Sequence, residues 1–116
     1  MIKVIPLEIM TDKYNQYFII TEDVKKIVAS SKIKNGMVTV ETKHTTTGII
    51  INEALECLES DIDVFLANLI PEDAPYSHCH IPLIDGKLVG GSAQDIWFCE
   101  FDGPSQRTIN IIIQGE

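Results

Sequence analysis

The strongest constraint on this chain is an alternation. Val38, Val40, Thr42 and His44 fall on one side of an extended segment, and Thr39, Glu41 and Lys43 fall on the other. A strand with one apolar row must lie in a sheet that buries that row, so the chain is built around half-buried β-structure, with His44 continuing the inward row. Other segments agree. Runs 3–9 and 14–20 are rich in β-branched and aromatic residues and are separated by Thr11-Asp12-Lys13, which predicts a hairpin. Residues 49–51 read as a strand. Asp85-Gly86, between 81–84 and 87–89, is the dipeptide of a two-residue hairpin turn. A last pair of strands, 96–101 and 108–113, is joined by Asp102-Gly103-Pro104-Ser105.

Two segments have helical spacing instead. Thr21 is a suitable N-cap, followed by Glu22 and Asp23 in the first turn and by Val24, Ile27 and Val28 on one face, until Asn35-Gly36 stops the helix. A second helix is expected from Ser60, with Asp61 and Asp63 near its positive end and Ile62, Phe65, Leu66 and Leu69 as its apolar stripe, ending at Pro71. About eight strands and two helices out of strict alternation make an α+β protein. With no repeat, linker or low-complexity tract, residues 1–116 read as a single domain with one core.

Charge and cysteine usage narrow the function. Nine basic against 17 acidic residues give a net charge of −8, which repels nucleic acid and anionic membranes but attracts metal cations. No apolar run is long enough to span a bilayer, and the first residues do not resemble a secretion signal. Cys57, Cys79 and Cys99 contain no C-x-x-C pair and are odd in number, so a reducing cytoplasm is expected, with each thiol acting as a small apolar filler. Walker, G-x-G-x-x-G and H-E-x-x-H motifs are absent.

Three stretches carry candidate chemistry. His78 and His80, two of the three histidines, project to one side if their segment is extended, which is chelating geometry for zinc or a similar ion. His44 is a candidate third metal ligand, with Glu53 or Asp61 as a nearby carboxylate. The alternative is a solvated polar loop. In 43–53, KHTTTGIIINE, the hydroxyls of Thr45, Thr46 and Thr47 and the amide of Gly48 offer donors for an oxyanion or phosphate, although threonine also simply favours strands. Near the C-terminal strands, Gln94 and Arg107 are candidate substrate contacts. Arg107 is either an anion anchor or the salt-bridge partner of Glu100 or Asp102. Trp97 is expected in the core or at a subunit interface.

Taken in order, His44-Thr45-Thr46 with Gly48, Asn52-Glu53, Tyr76 with His78, Gly91 with Gln94, and Asp102-Gly103-Pro104 with Arg107 resemble the YjbQ-like family, often described as secondary thiamine-phosphate synthase enzymes. The resemblance runs from about Pro6 to Gln114. It implies a mixed β-sandwich, a homotrimer, a pocket near a subunit boundary, and a weak transferase activity joining a pyrimidine pyrophosphate to a thiazole phosphate. On this resemblance His44, Glu53 and His78 are the catalytic positions, and Gln94 and Arg107 contact a phosphorylated small molecule. Such a transfer needs leaving-group charge stabilised, and a divalent ion such as Mg²⁺ fits that need in an acidic protein. A metal-dependent hydrolase built on His44, His78 and His80, and a non-catalytic anion-binding trimer, are the alternatives. The chain departs from the family where it runs straight from His78 to His80-Ile81-Pro82. Family members there usually continue through an Asn-x-x-x-His element. Ala93 and Ser105 also stand where the family usually has tryptophan and arginine.

Overall fold

The computed structural model describes residues 1–52, 78–91 and 94–116. Among them the element order is β1 (Ile2–Met10), β2 (Gln16–Ile19), α1 (Thr21–Ser31), β3 (Gly36–Thr42), β4 (Thr47–Asn52), β5 (His78–Ile84), β6 (Lys87–Leu88), β7 (Asp95–Glu100) and β8 (Gln106–Gly115). They form a five-stranded sheet in the order β1-β8-β3-β5-β6 and a three-stranded sheet in the order β2-β7-β4. Every pairing among the described residues is antiparallel, where the resemblance implies a mixed sheet. The second expected helix, from Ser60 to Pro71, lies outside the described residues. No described helix is long and apolar enough to cross a membrane.

The strands are where the alternation puts them, but two expected partnerships are not. β1 and β2 do not form a hairpin: β1 pairs with β8, placing Ile2 opposite Gln114 and Met10 opposite Gln106, while β2 pairs with β7. β7 and β8 likewise belong to different sheets. The cause is at the crossings between them. Thr11 follows β1 and is 1% exposed, its backbone amide donating to the Ser105 carbonyl at 2.9 Å and its hydroxyl donating to Glu100 Oε1 at 2.7 Å. The two connections are thus fastened to each other, and each carries the chain from one sheet to the other. By contrast the Asp85-Gly86 hairpin is as expected. Both residues have positive φ, +51° and +76°, the mirror-image turn that matches strand twist.

The helix stops earlier than its sequence signals suggest. It ends at Ser31, with Lys32 in the left-handed conformation closing it, and Lys3 Nζ donates to the Ser31 carbonyl at 2.7 Å. Thr21 is not its N-cap. Ile20 occupies that position without a side-chain cap, and the Thr21 hydroxyl instead donates to Asp95 Oδ1 at 2.7 Å and accepts the Ile96 amide at 2.9 Å. Thr21 therefore stitches α1 to β7, a tertiary use that outweighs local capping.

One buried cluster contains Val24 and Val28 from α1, Val38 and Val40 from β3, Ile109, Ile111 and Ile113 from β8, and Ile49, Ile96 and Phe98 from the smaller sheet. Helix and both sheets therefore share a core. Trp97 and Cys99 are also buried. Cys79 is half-buried, and burial pushes its thiol up to about 11, which keeps it protonated and unreactive near neutrality. The opposite face of the larger sheet is exposed among the described residues. It divides into an apolar end, with Ile2, Val4, Met37 and Ile84, and a polar end, with Glu8, Glu41, Asn110, His78 and His80.

Candidate functional site

Residues singled out from the sequence gather in two places. The first lies where β7 and β8 begin to diverge. Glu100 is fully buried, and the Arg107 guanidinium meets it as a fork, with Nε on Oε1 and Nη2 on Oε2, each at 2.8 Å. Burial alone would raise the Glu100 carboxyl, but hydrogen bonds from Arg107, Thr11 and the Asp102 amide outweigh it and hold the group below its ordinary range. The same carboxylate holds Arg107 above its usual value. Arg107 is therefore the salt-bridge partner of Glu100, and its fork is turned away from any ligand.

The threonine stretch is folded around this pair. Thr46 Oγ1 accepts from Arg107 Nη2 at 3.2 Å, and the Thr46 carbonyl accepts the Phe101 amide at 2.9 Å. Thr47 is buried, and its hydroxyl donates to the His44 carbonyl at 2.8 Å while lying 2.7 Å from that of Thr42. Gly48 is buried within β4 opposite Cys99. Of the four residues expected to cradle an oxyanion, Thr46, Thr47 and Gly48 serve the fold, and Thr45 is exposed. Gly103, in the motif before Arg107, is explained by close approach. A Cβ there would collide with the Lys13 carbonyl and lie 2.8 Å from Thr11 Oγ1.

His44 does not continue the inward row, because β3 ends at Thr42. Its Nε2 accepts the Thr108 amide at 3.1 Å, so the neutral ring carries its proton on Nδ1. Burial and the nearby Arg107 charge, helped by Lys43, lower its pKa below the ordinary 6.5 against the pull of Glu100. At neutral pH His44 is thus an Nδ1–H donor whose Nε2 is taken.

The second place is a cleft of about 390 Å³ bounded by Thr21 and Lys25 of α1, Ile51 of β4, the β5–β6 hairpin, Gly90, Gly91 and residues 94–96. His80 and Gln94 both line it. The Gln94 side-chain oxygen accepts the Gly91 amide at 2.9 Å and its backbone amide donates to the Gly91 carbonyl at 3.1 Å, closing a compact loop on the cleft wall. His78 and His80 share one face of β5, as the alternation requires, with ring centres 4.9 Å apart. His44 is not with them: among the described residues no three His, Cys, Asp or Glu side chains gather to hold a metal. Glu53 and Asp61 lie outside the described residues. Sequence reading missed Lys25 and Thr21 as cleft residues, because their helical spacing marks only which face of α1 is apolar. It also missed Thr11, whose role depends on a partner 89 positions away.

The family model of the YjbQ-like UPF0047 proteins matches residues 6–80 and 77–116. The chain belongs to this family. A UPF0047 protein of Methanothermobacter thermautotrophicus is 33% identical over 95% of this chain and 90% of its own length, and UPF0047 protein YugU of Bacillus subtilis is 29% identical over 94% and 97%. Among solved structures, a structural-genomics target from Clostridium acetobutylicum superimposes with a TM-score of 0.89 at 37% identity, covering 97% of this chain and all of that one. A protein of unknown function from Sulfolobus solfataricus, titled YbjQ-like, gives 0.89 at 29% identity over 100% and 99%.

Within this UPF0047 chain the two matched stretches overlap at 77–80, Ser-His-Cys-His, of which His78 is the first residue of β5. The alignment to the Methanothermobacter relative runs over 129 positions, so at least 13 of them have no counterpart among these 116 residues. The shortened stretch of the sequence analysis and the junction of the family match coincide.

Two outcomes follow from the first cluster. Replacing Arg107 with Met leaves Glu100 buried and unpaired and is expected to lower stability by about 3–5 kcal/mol in urea denaturation, most of which returns when Glu100→Leu is added. Stability also falls with acid in two stages. The folded-state pKa of His44 lies below its unfolded 6.5, so the unfolded chain binds more protons below that pH and the denaturation midpoint declines there. Glu100, depressed from 4.5, adds a second decline below that value, and His44→Gln removes the first stage alone.

Proposed function

We propose that this UPF0047 protein binds a phosphorylated small molecule in the cleft between α1, β4 and the β5–β6 hairpin. The observation that carries this reading is that His80 and Gln94, chosen from the sequence for chemistry and motif, line one cleft together with a lysine they did not predict. Lys25 supplies a cation, His80 and Thr21 supply polar groups, and Ile51, Ile81 and Leu88 supply apolar wall, the mixture a small-molecule site requires. A volume of about 390 Å³ suits a single-ring phosphate ester.

Transfer of the thiamine-phosphate type is the finer form of this proposal. It requires a pyrophosphate leaving group to be stabilised, and with Arg107 engaged by Glu100 the charge must come from Lys25 and a divalent ion such as Mg²⁺. His44 does not line this cleft and stands outside this step. Closure of the two sheets into a sandwich, with a second helix in the 60–71 stretch, belongs to the same reading. Calorimetry with the thiazole phosphate should give saturable binding that Lys25→Ala and Gln94→Ala each weaken at least about tenfold, the loss of roughly one charged or well-placed hydrogen bond. Equal binding by both variants would remove the cleft from the proposal.

The homotrimer is proposed on a separate observation. Ile2, Val4, Met37 and Ile84 are exposed at one end of the large sheet, and clustered apolar exposure of this kind marks association sites. Light scattering should give about three times 13.0 kDa, and Val4→Glu should shift the mass toward 13.0 kDa.

A further inference from the structure

The polar end of the exposed sheet face contains a pair of histidines of which the cleft reading uses only His80. His78 and His80 are two apart on β5, project to the same side, and have ring centres 4.9 Å apart with planes inclined by 68°. A zinc-like ion lies about 2.0–2.1 Å from an imidazole nitrogen, which puts each ring centre roughly 3.2 Å from the metal. Two imidazoles on one ion then stand about 4.5 Å apart at a right angle and about 5.2 Å apart at the tetrahedral angle. The observed separation falls between these limits, so the spacing of the two rings is that of two imidazoles on one ion.

The surroundings strengthen this. Thr39, directly across from His80 on β3, places its hydroxyl 2.8 Å from His80 Nδ1. That contact fixes the ring and assigns Nε2 as the outward nitrogen, the type of support that metal-binding histidines usually receive from a neighbouring polar group. Glu41 lies across from His78, and Glu8 is on the same face, so the field there favours a cation. The Glu41 carboxylate accepts from Asn110 Nδ2 at 3.2 Å. The thiol between the two histidines does not compete, because Cys79 alternates to the other face.

We propose that His78 and His80 form a two-imidazole chelate for a late first-row divalent cation such as Zn²⁺ or Ni²⁺, with water completing the coordination sphere. Two protein ligands make the ion exchangeable rather than structural. His44 takes no part in this site, which distinguishes it from a three-histidine centre. It shares His80 with the cleft but not Lys25, so loss of phosphate-ester binding in Lys25→Ala leaves Ni²⁺ binding unchanged.

The three histidines give a simple imidazole NMR spectrum in which to test it. On titrating the full chain with Ni²⁺, the His78 and His80 signals should broaden together and saturate at one equivalent, with His44 much less affected. Either His78→Ala or His80→Ala should weaken Ni²⁺ binding at least about tenfold, while His44→Gln should not. Thr39→Val, which keeps both ligands, should weaken it by about tenfold, the usual effect of removing such a supporting group. No saturable broadening, equal broadening of all three rings, or binding that survives both alanine variants would overturn the proposal. Circular dichroism of each variant separates a lost ligand from a lost fold.

Discussion

A carboxylate sealed from water organises this molecule. Glu100 ends β7, and its two oxygens are held by Arg107 from the start of β8 and by Thr11 from the end of β1. These are the points where the chain leaves one sheet for the other, so the ion pair acts as the rivet between sheets whose strands do not hydrogen-bond to each other there. A buried pair is weak as a source of stability, because desolvation offsets most of the attraction. It is strong as a specification: any arrangement that separates β7 from β8 leaves a charge in an apolar interior, which costs several kcal/mol. The glycine at 103 fits the same account, since a side chain there would push the Lys13 carbonyl and Thr11 out of place.

This changes the meaning of the motif residues. Asp102-Gly103-Pro104 with Arg107, and the threonines of 45–47, look like ligand-binding groups in a linear reading because they are polar, hydroxylated and glycine-bearing. The hydrogen bonds of Arg107, Thr46 and Thr47 are instead with neighbouring residues of the fold. Other polar groups face solvent: Lys25, Gln94 and His80 line the cleft beside β4, and β5 presents His78 and His80 on one face. His44 stands between these roles, since its ring completes the backbone bonding of β8 and still directs one N–H outward.

How much of this was legible in the sequence depends on the range of the interaction. The alternation of Val38, Val40 and Thr42 fixes the inner face of β3, and Asp85-Gly86 fixes a hairpin, because both are settled within a few residues. The side-by-side placement of His78 and His80 was readable for the same reason. Partner choice was not. Nothing local in 3–9 or 14–20 says that these strands join different sheets, because that outcome depends on Thr11 meeting Glu100 across 89 positions. Arg107 had two readings until Glu100 was found beside it. Thr21 has the composition of an N-cap and serves another element, a case of tertiary bonding displacing a local preference.

The pairing of β1 with β8 has a kinetic side. Ile2 lies opposite Gln114, so the edge of the large sheet joins segments from opposite ends of these 116 residues. A ribosome delivers β1 well before its partner. Until β8 emerges, β1 and β3 both lack the strand that sits between them, and the row formed by Ile109, Ile111 and Ile113 is missing from the core. Closing so long a loop is entropically slow. β8 therefore has to be synthesised before the larger sheet can assemble, and during that interval the apolar strands of the first forty residues must be kept from pairing with those of neighbouring chains.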